Sequence, residues 1–368
     1  MSKKAEIHEN EKTVDRHAES PLNAYKHALS LSLVSKHLRA LVRSPELEEL
    51  RSVVPHKSSL YVCFRENNSS FHWLTLRPND DETSTTTTTE YRLVPNPTPF
   101  PPHKYGSSTV TVGSKIFFIG GSTEPSTDLW ILDTRTGNMT QGPCMSVPRV
   151  ERKAAVGVID RMIYVIGGGL GSNKEIQVEV FDPKSETWEL AGHETVSKSF
   201  RCGASVERKV YIVEYDKTSV YNPRNCEGKR LIHMGSKRLS EGGRMDTLYN
   251  RVNRGVCVVD NILFSYFKWS GILWFNTKLK VWRRLVGLDG KDLFFLHADT
   301  ISEYDGRLVV LSLSGESKVG NTITKSVRCM LVSLHRAGER VCATIDWSGI
   351  VATVPYRFRF LHCLAVSE

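Results

Sequence analysis

Short apolar runs separated by polar pairs recur along most of this chain, and their spacing predicts its architecture. The runs read GSKIFFIGG from Gly113, DRMIYVIGG from Asp160, ERKVYIVEY from Glu207, DNILFSYFK from Asp260 and DGRLVVLSL from Asp305. Their starts lie 47, 47, 53 and 45 residues apart. Another β-rich run precedes each: STVTV, AAVGVI, GASV, GVCVV and DTISEY. Two such runs joined by a polar pair predict a β-hairpin. A second marker follows the first four, an apolar strand ending at Asp133, Asp182, Asn222 or Asn276. Six residues further on stand Met139, Trp188, Gly228 and Trp282, so tryptophan occupies the same offset in two separate units.

Each unit thus holds four short strands in about 45 to 53 residues, the period of a β-propeller blade. Period and β-rich composition together exclude leucine-rich and helical repeats. A propeller must close, because an open one would leave two unpaired sheet edges. The unassigned strand-like runs sit at the two ends: SLYVCF, FHWLTL and YRLV within residues 59–94, and FRFLHCLAV within 358–368. Joined in one sheet, they supply a sixth blade, with five or seven blades as the alternatives. The expected repeats are 107–153, 154–200, 201–250, 254–297 and 298–347, all within a propeller spanning 57–368. The polar tract Glu82 to Glu90 reads as a surface loop.

The glycine pairs Gly120–Gly121 and Gly167–Gly168, the strand ending at Asp182 and the following Trp188 resemble kelch repeats. In the next two units Glu214–Tyr215 and Phe267–Lys268 stand in place of the glycines. In the last, only the strand rhythm is kept. In this resemblance the tryptophan fills the wedge between neighbouring blades.

The pattern changes upstream. Residues 1–20 are polar and mixed in charge, and read as disordered. From Pro21, the spacing of Leu31, Val34, Leu38, Leu41 and Val42 predicts an amphipathic helix broken near Pro45, with a further turn from Glu46 to Val53. The string LSLVSKHLRALVRSPEL resembles the second half of an F-box, and an F-box followed by kelch repeats resembles a large plant family. That family also carries a strand like LYVC at Leu60 to Cys63. The Leu-Pro-acidic start of a full F-box is missing from AESPLNAYKHAL, so residues 21–56 read as a partial F-box-like segment.

Charge and cysteine content narrow the class. The formal net charge is +9, of which residues 1–58 hold +2, so the excess is diffuse. That argues against a nucleic-acid stripe. The eight cysteines stand singly with no zinc-ligand spacing, as expected of free thiols in a reducing compartment. The sequence MSKKAEIHENEK has no apolar signal region, and no run approaches membrane-spanning length. A cytoplasmic or nuclear location is expected, without a membrane partner.

No catalytic constellation emerges. GGGLGSNK, from Gly167 to Lys174, lacks the Gly-Lys-Ser/Thr ending of a P-loop and runs into a strand. The twelve histidines show no zinc-protease spacing, and there is no Gly-x-Ser-x-Gly elbow. No His pair beside a Tyr and Cys nominates a copper centre. The chain is therefore expected to be neither an enzyme nor dependent on a cofactor or metal.

Propellers bind at the channel mouth through the loops that enter the innermost strand and leave the second. Arg201 and Arg254 stand six residues before two repeat starts, and the loops after the second strands hold Tyr215, Lys217, Lys268 and Trp269. Together these six predict a basic, aromatic rim suited to an acidic or phosphorylated target. The family resemblance implies that Leu33, Val34, Leu38, Leu41, Val42 and Pro45 face a Skp-type adaptor. It implies the substrate-recognition subunit of an SCF-type cullin ubiquitin ligase; the alternative is a kelch interaction scaffold with a vestigial F-box.

Overall fold

The computed structural model describes residues 58–367 apart from 68, 80–88, 97–98, 122–123, 151–153, 170–174, 196–201, 215–217, 226–230, 235–251, 268–269, 292, 294–296 and 320–321. The chain divides into two units, Met1–His56 and Lys57–Glu368. The expected F-box-like helices and most of the Glu82–Glu90 tract lie outside the described residues.

The second unit is an all-β propeller of six sheets. Strands β1 (Ser58–Arg65), β2 (Phe71–Asn79) and β3 (Glu90–Pro95) belong to blade I. Blade II holds β4 (Ser108–Val112), β5 (Lys115–Ile119), β6 (Leu129–Asp133) and β7 (Met139–Gln141). Blade III holds β8 (Ala155–Ile159), β9 (Met162–Ile166), β10 (Glu175–Asp182) and β11 (Thr187–Thr195). Blade IV holds β12 (Cys202–Val206), β13 (Lys209–Val213), β14 (Thr218–Tyr221) and β15 (Leu231–Met234). Blade V holds β16 (Val252–Val259), β17 (Ile262–Phe267), β18 (Gly271–Asn276) and β19 (Val281–Arg284). Blade VI combines the short β20 (Val286–Gly287) with β21 (Thr300–Tyr304), β22 (Arg307–Val319), β23 (Thr322–Ala337) and β24 (Arg340–Pro355).

The last strand, β25 (Arg359–Ser367), returns to pair antiparallel with β1, so the two ends of the unit share blade I. This is the closure expected from the orphan strand runs. Strands β25, β4, β8, β12, β16 and β21 form a closed inner ring, each beside the next.

Alternation along the strands explains the packing. Side chains on a strand point to opposite faces, and in a propeller both faces are covered by neighbouring blades. Leu60, Val62 and Phe64 of β1 pack toward blade VI, whereas Tyr61 and Cys63 pack toward blade II. Likewise Ile116 and Phe118 of β5 face blade I, and Phe117 and Ile119 face blade III. Among the described residues the core divides into six clusters, one between each pair of adjacent blades. Each buried Leu, Val or Phe contributes roughly 1.5–3 kcal/mol relative to exposure.

The two repeat tryptophans sit in these wedges, as the kelch resemblance implied. Trp188 Nε1 donates to the Pro143 carbonyl at 2.8 Å, reaching back from blade III to the loop after blade II. Trp282 of blade V reaches back in the same way, donating to Thr218 Oγ1 of blade IV at 2.9 Å.

Candidate partner-binding face

Strand direction gives the propeller two unlike faces. The turns between first and second strands, and between third and fourth, lie on one face; the remaining connections lie on the other. On the first face the polar pairs form tight turns. Both central residues have positive φ at Asp160–Arg161, Glu207–Arg208, Asp260–Asn261 and Asp305–Gly306. That is the type I′ geometry whose twist matches the flanking strands. These turns are tied from blade to blade. Arg208 pairs with Asp160 at 2.8 Å, the Glu207 amide donates to Asn261 Oδ1 at 3.3 Å, and the Asp305 amide donates to Ser58 Oγ at 3.1 Å.

The opposite face carries the long connections. Tyr215 and Lys217 lie between β13 and β14, Lys268 and Trp269 between β17 and β18, and Arg201 just before β12; all five fall outside the described residues. Arg254 lies within β16, and its side chain is likewise outside them. The adaptor-facing set Leu33, Val34, Leu38, Leu41, Val42 and Pro45 also lies outside the described residues. The described part of this face is formed by other residues.

In blades II and III the glycine pairs end the second strand. A Cβ on Gly121 would lie 2.5 Å from Ser107 Oγ, and one on Gly168 would lie 2.8 Å from the Ala154 amide nitrogen. With φ of +104° and +83°, both positions need glycine for conformation and for space. Ser107 and Ala154 are 47 residues apart, so this close approach is itself a repeated feature.

Between these blades lies a charged pair that the spacing of motifs did not reveal. Arg149, in the loop from β7 to β8, is bonded to Glu179 of β10 and to the Gly167 carbonyl, with both charged side chains only 1% exposed. Glu179 Oε1 also accepts the Ser146 and Val147 amides at 2.7 and 3.3 Å. Desolvation pulls the arginine pKa down, while the bond to Glu179 opposes it. The Arg149 backbone pairs with Ser126 in both directions, fixing the β5–β6 loop. The pair therefore positions loops and is sealed from a partner.

Nearer the surface, Lys104 bonds to Asp128, which holds that carboxyl below its usual range. The described cysteines are unpaired, and burial pushes the Cys202, Cys329 and Cys363 thiols up to about 12. Such thiols are poor nucleophiles at neutral pH.

The kelch geometry is matched by sequence. The FKB95 kelch-repeats domain matches residues 72–352. An Arabidopsis thaliana F-box/kelch-repeat protein, At2g41360, is 37% identical over 366 residues, covering 92% of this chain and 91% of its own. The chain belongs to the F-box/kelch-repeat family. A second Arabidopsis thaliana member, At2g44630, is 34% identical, covering 92% of this chain and 87% of its own. Among solved structures, that titled "Structure of YjhT" overlaps with a TM-score of 0.44 at 12% identity, covering 79% of this chain and 98% of that chain.

Proposed function

We propose that this F-box/kelch-repeat protein is the substrate-recognition subunit of an SCF-type cullin ubiquitin ligase. The propeller holds a target protein on its long-loop face, and the segment around Leu33 to Pro45 holds a Skp-type adaptor. The chain itself makes and breaks no bonds; it acts by raising the effective concentration of a target beside the ligase. It works in the cytosol or nucleus.

The carrying observation is the reach of the family match. The alignment with At2g41360 covers 92% of the chain, more than residues 57–368 alone can supply. It therefore extends into the N-terminal segment as well as the blades.

A second reading is a ligase-independent kelch scaffold. It is favoured by AESPLNAYKHAL, which lacks the Leu-Pro-acidic start that a full F-box would place there.

Titration of the full chain against a plant Skp-type adaptor separates the two. The receptor reading expects micromolar or tighter binding that is lost in a Leu38→Asp, Leu41→Asp double variant. Absence of binding at high concentration would leave the scaffold reading and remove the ligase role.

A further inference from the structure

On the long-loop face, the closing blade and blade VI gather cations from three distant strands. Cross-strand register places Arg65 of β1 directly opposite Arg359 of β25. Residues opposed in an antiparallel pair project from the same side of the sheet, with Cβ atoms about 5 Å apart, and like charges so placed repel. Each guanidinium lies against its own tyrosine. Arg65 Cζ lies 4.7 Å from the ring centroid of Tyr105, and Arg359 Cζ lies 5.6 Å from that of Tyr356. Lys325 Nζ, from β23, also sits over Tyr356, at 4.1 Å.

Two tyrosines therefore hold three cations at one mouth. Cation–π contact orients a charge without neutralising it. Arg359 uses one terminal nitrogen, Nη1, to donate to the Tyr356 and Phe358 carbonyls at 2.6 and 2.8 Å. Its Nε and other terminal nitrogen make no hydrogen bond to a described residue. Among the described residues no carboxylate forms an ion pair with Lys325 or Arg359. The nearby Glu66 is directed to His72 at 3.6 Å.

We propose that this mouth binds an acidic segment of a protein partner, with one carboxylate seated at Arg359 and a second at Lys325, the two cations that share Tyr356. This deepens the proposed function by assigning target chemistry to described residues, and it rests on the long-loop face being the target-binding surface. Guanidinium groups suit the planar, two-oxygen carboxylate. A single-stranded nucleic acid fits less well, because bases need open aromatic faces on which to stack. Here cations already lie over both tyrosines.

The test is fluorescence anisotropy of the full chain with a labelled (Glu-Tyr)5 peptide, beside (Lys-Tyr)5 and an oligothymidine of equal length. The expected result is saturable binding of (Glu-Tyr)5 that weakens with salt. It falls at least tenfold in a Lys325→Gln, Arg359→Gln double variant whose thermal midpoint is unchanged. Tyr356→Ala, at an exposed site, should weaken binding severalfold. Arg340→Gln, beside a turn of the other face, should leave it unchanged. Equal binding of the two peptides, tighter binding of oligothymidine, or full binding by the double variant would each overturn the proposal. If the peptide result fails while adaptor binding persists, the acidic segment is withdrawn and the receptor reading stands. If adaptor binding fails while the peptide binds as expected, the reverse holds.

Discussion

The seam between blades II and III and the seam between blades I and II do the same job with different chemistry. At the first, a buried ion pair, Arg149–Glu179, crosses from one blade's exit loop to the next blade's third strand, beside the wedge tryptophan Trp188. At the second, where the composite closing blade meets blade II, His103 lies between rings. It stacks on Phe71 and on Phe118, each at 4.3 Å, and its Nε2 meets His362 Nε2 at 3.2 Å. The Trp73 ring lies 6.0 Å from that of His362. A seam between repeats can reuse residues at repeat positions. The closure seam joins strands from the two ends of the unit, so it is held by residues with no counterpart elsewhere among the described blades.

The largest expected effect breaks the polar seam. Arg149→Met strands Glu179 without its cation in a site 1% exposed, and should cost about 3–5 kcal/mol of unfolding free energy. Urea denaturation reads this directly. An Arg149→Met, Glu179→Leu double variant should recover most of the loss, because the uncompensated charge is then gone.

Next in size is a test of the close approach that ends the second strand in the regular blades. Gly168→Ala places a Cβ 2.8 Å from the Ala154 backbone and should cost about 2–4 kcal/mol. Gly113→Ala shares a positive φ, +57°, but its Cβ would meet nothing within 4 Å. It should cost about 1 kcal/mol. Equal losses, read as shifts of the urea midpoint, would show that conformation alone matters and proximity does not.

The aromatic seam should be the acid-sensitive one. Burial lowers the His103 pKa from 6.5 to about 4. The folded state then refuses a proton that the unfolded state accepts over that interval. Stability is therefore complete above pH 6.5 and falls as pH drops toward 4, by at most about 1.4 kcal/mol per pH unit. The rings packed on His103 are Phe71, Trp73, Phe118 and His362, and neighbouring Lys104 is engaged by Asp128. Between pH 6.5 and 5 the difference between wild type and His103→Phe should change by about 1.6 kcal/mol. A pH-independent difference would remove this role for the histidine.

The regular blades were legible because their signals are local. Polar pairs such as Asp160–Arg161 mark tight turns, glycine pairs mark the end of the second strand, and Trp188 and Trp282 mark the wedges. The closing blade was legible only by counting strands, since nothing in SLYVCF says that its partner lies 300 residues away. Blade VI was harder. The sequence reading ends the last repeat at 347, whereas β24 continues to Pro355 and β22 and β23 run to 13 and 16 residues. In blade VI the ladder runs on past the usual blade length, with register shifts at Ser314/Glu316 and within β23–β24. Glu179 carried no sign of its role, because its partner Arg149 is an ordinary loop residue until the blades stack. Arg359 comes opposite Arg65 only through the closing strand pair, and shares Tyr356 with Lys325 of another strand, so no sequence window contains that cluster.

Every site assigned to the long-loop face presumes a closed ring, and closure rests on β25 pairing with β1. Native-state hydrogen exchange in low denaturant tests this most directly. Amides of 58–65 and 359–367 should open together with one apparent free energy, and Phe360→Asp should deprotect both segments. Fast exchange of 359–367 beside a protected 58–65 would contradict the closed propeller.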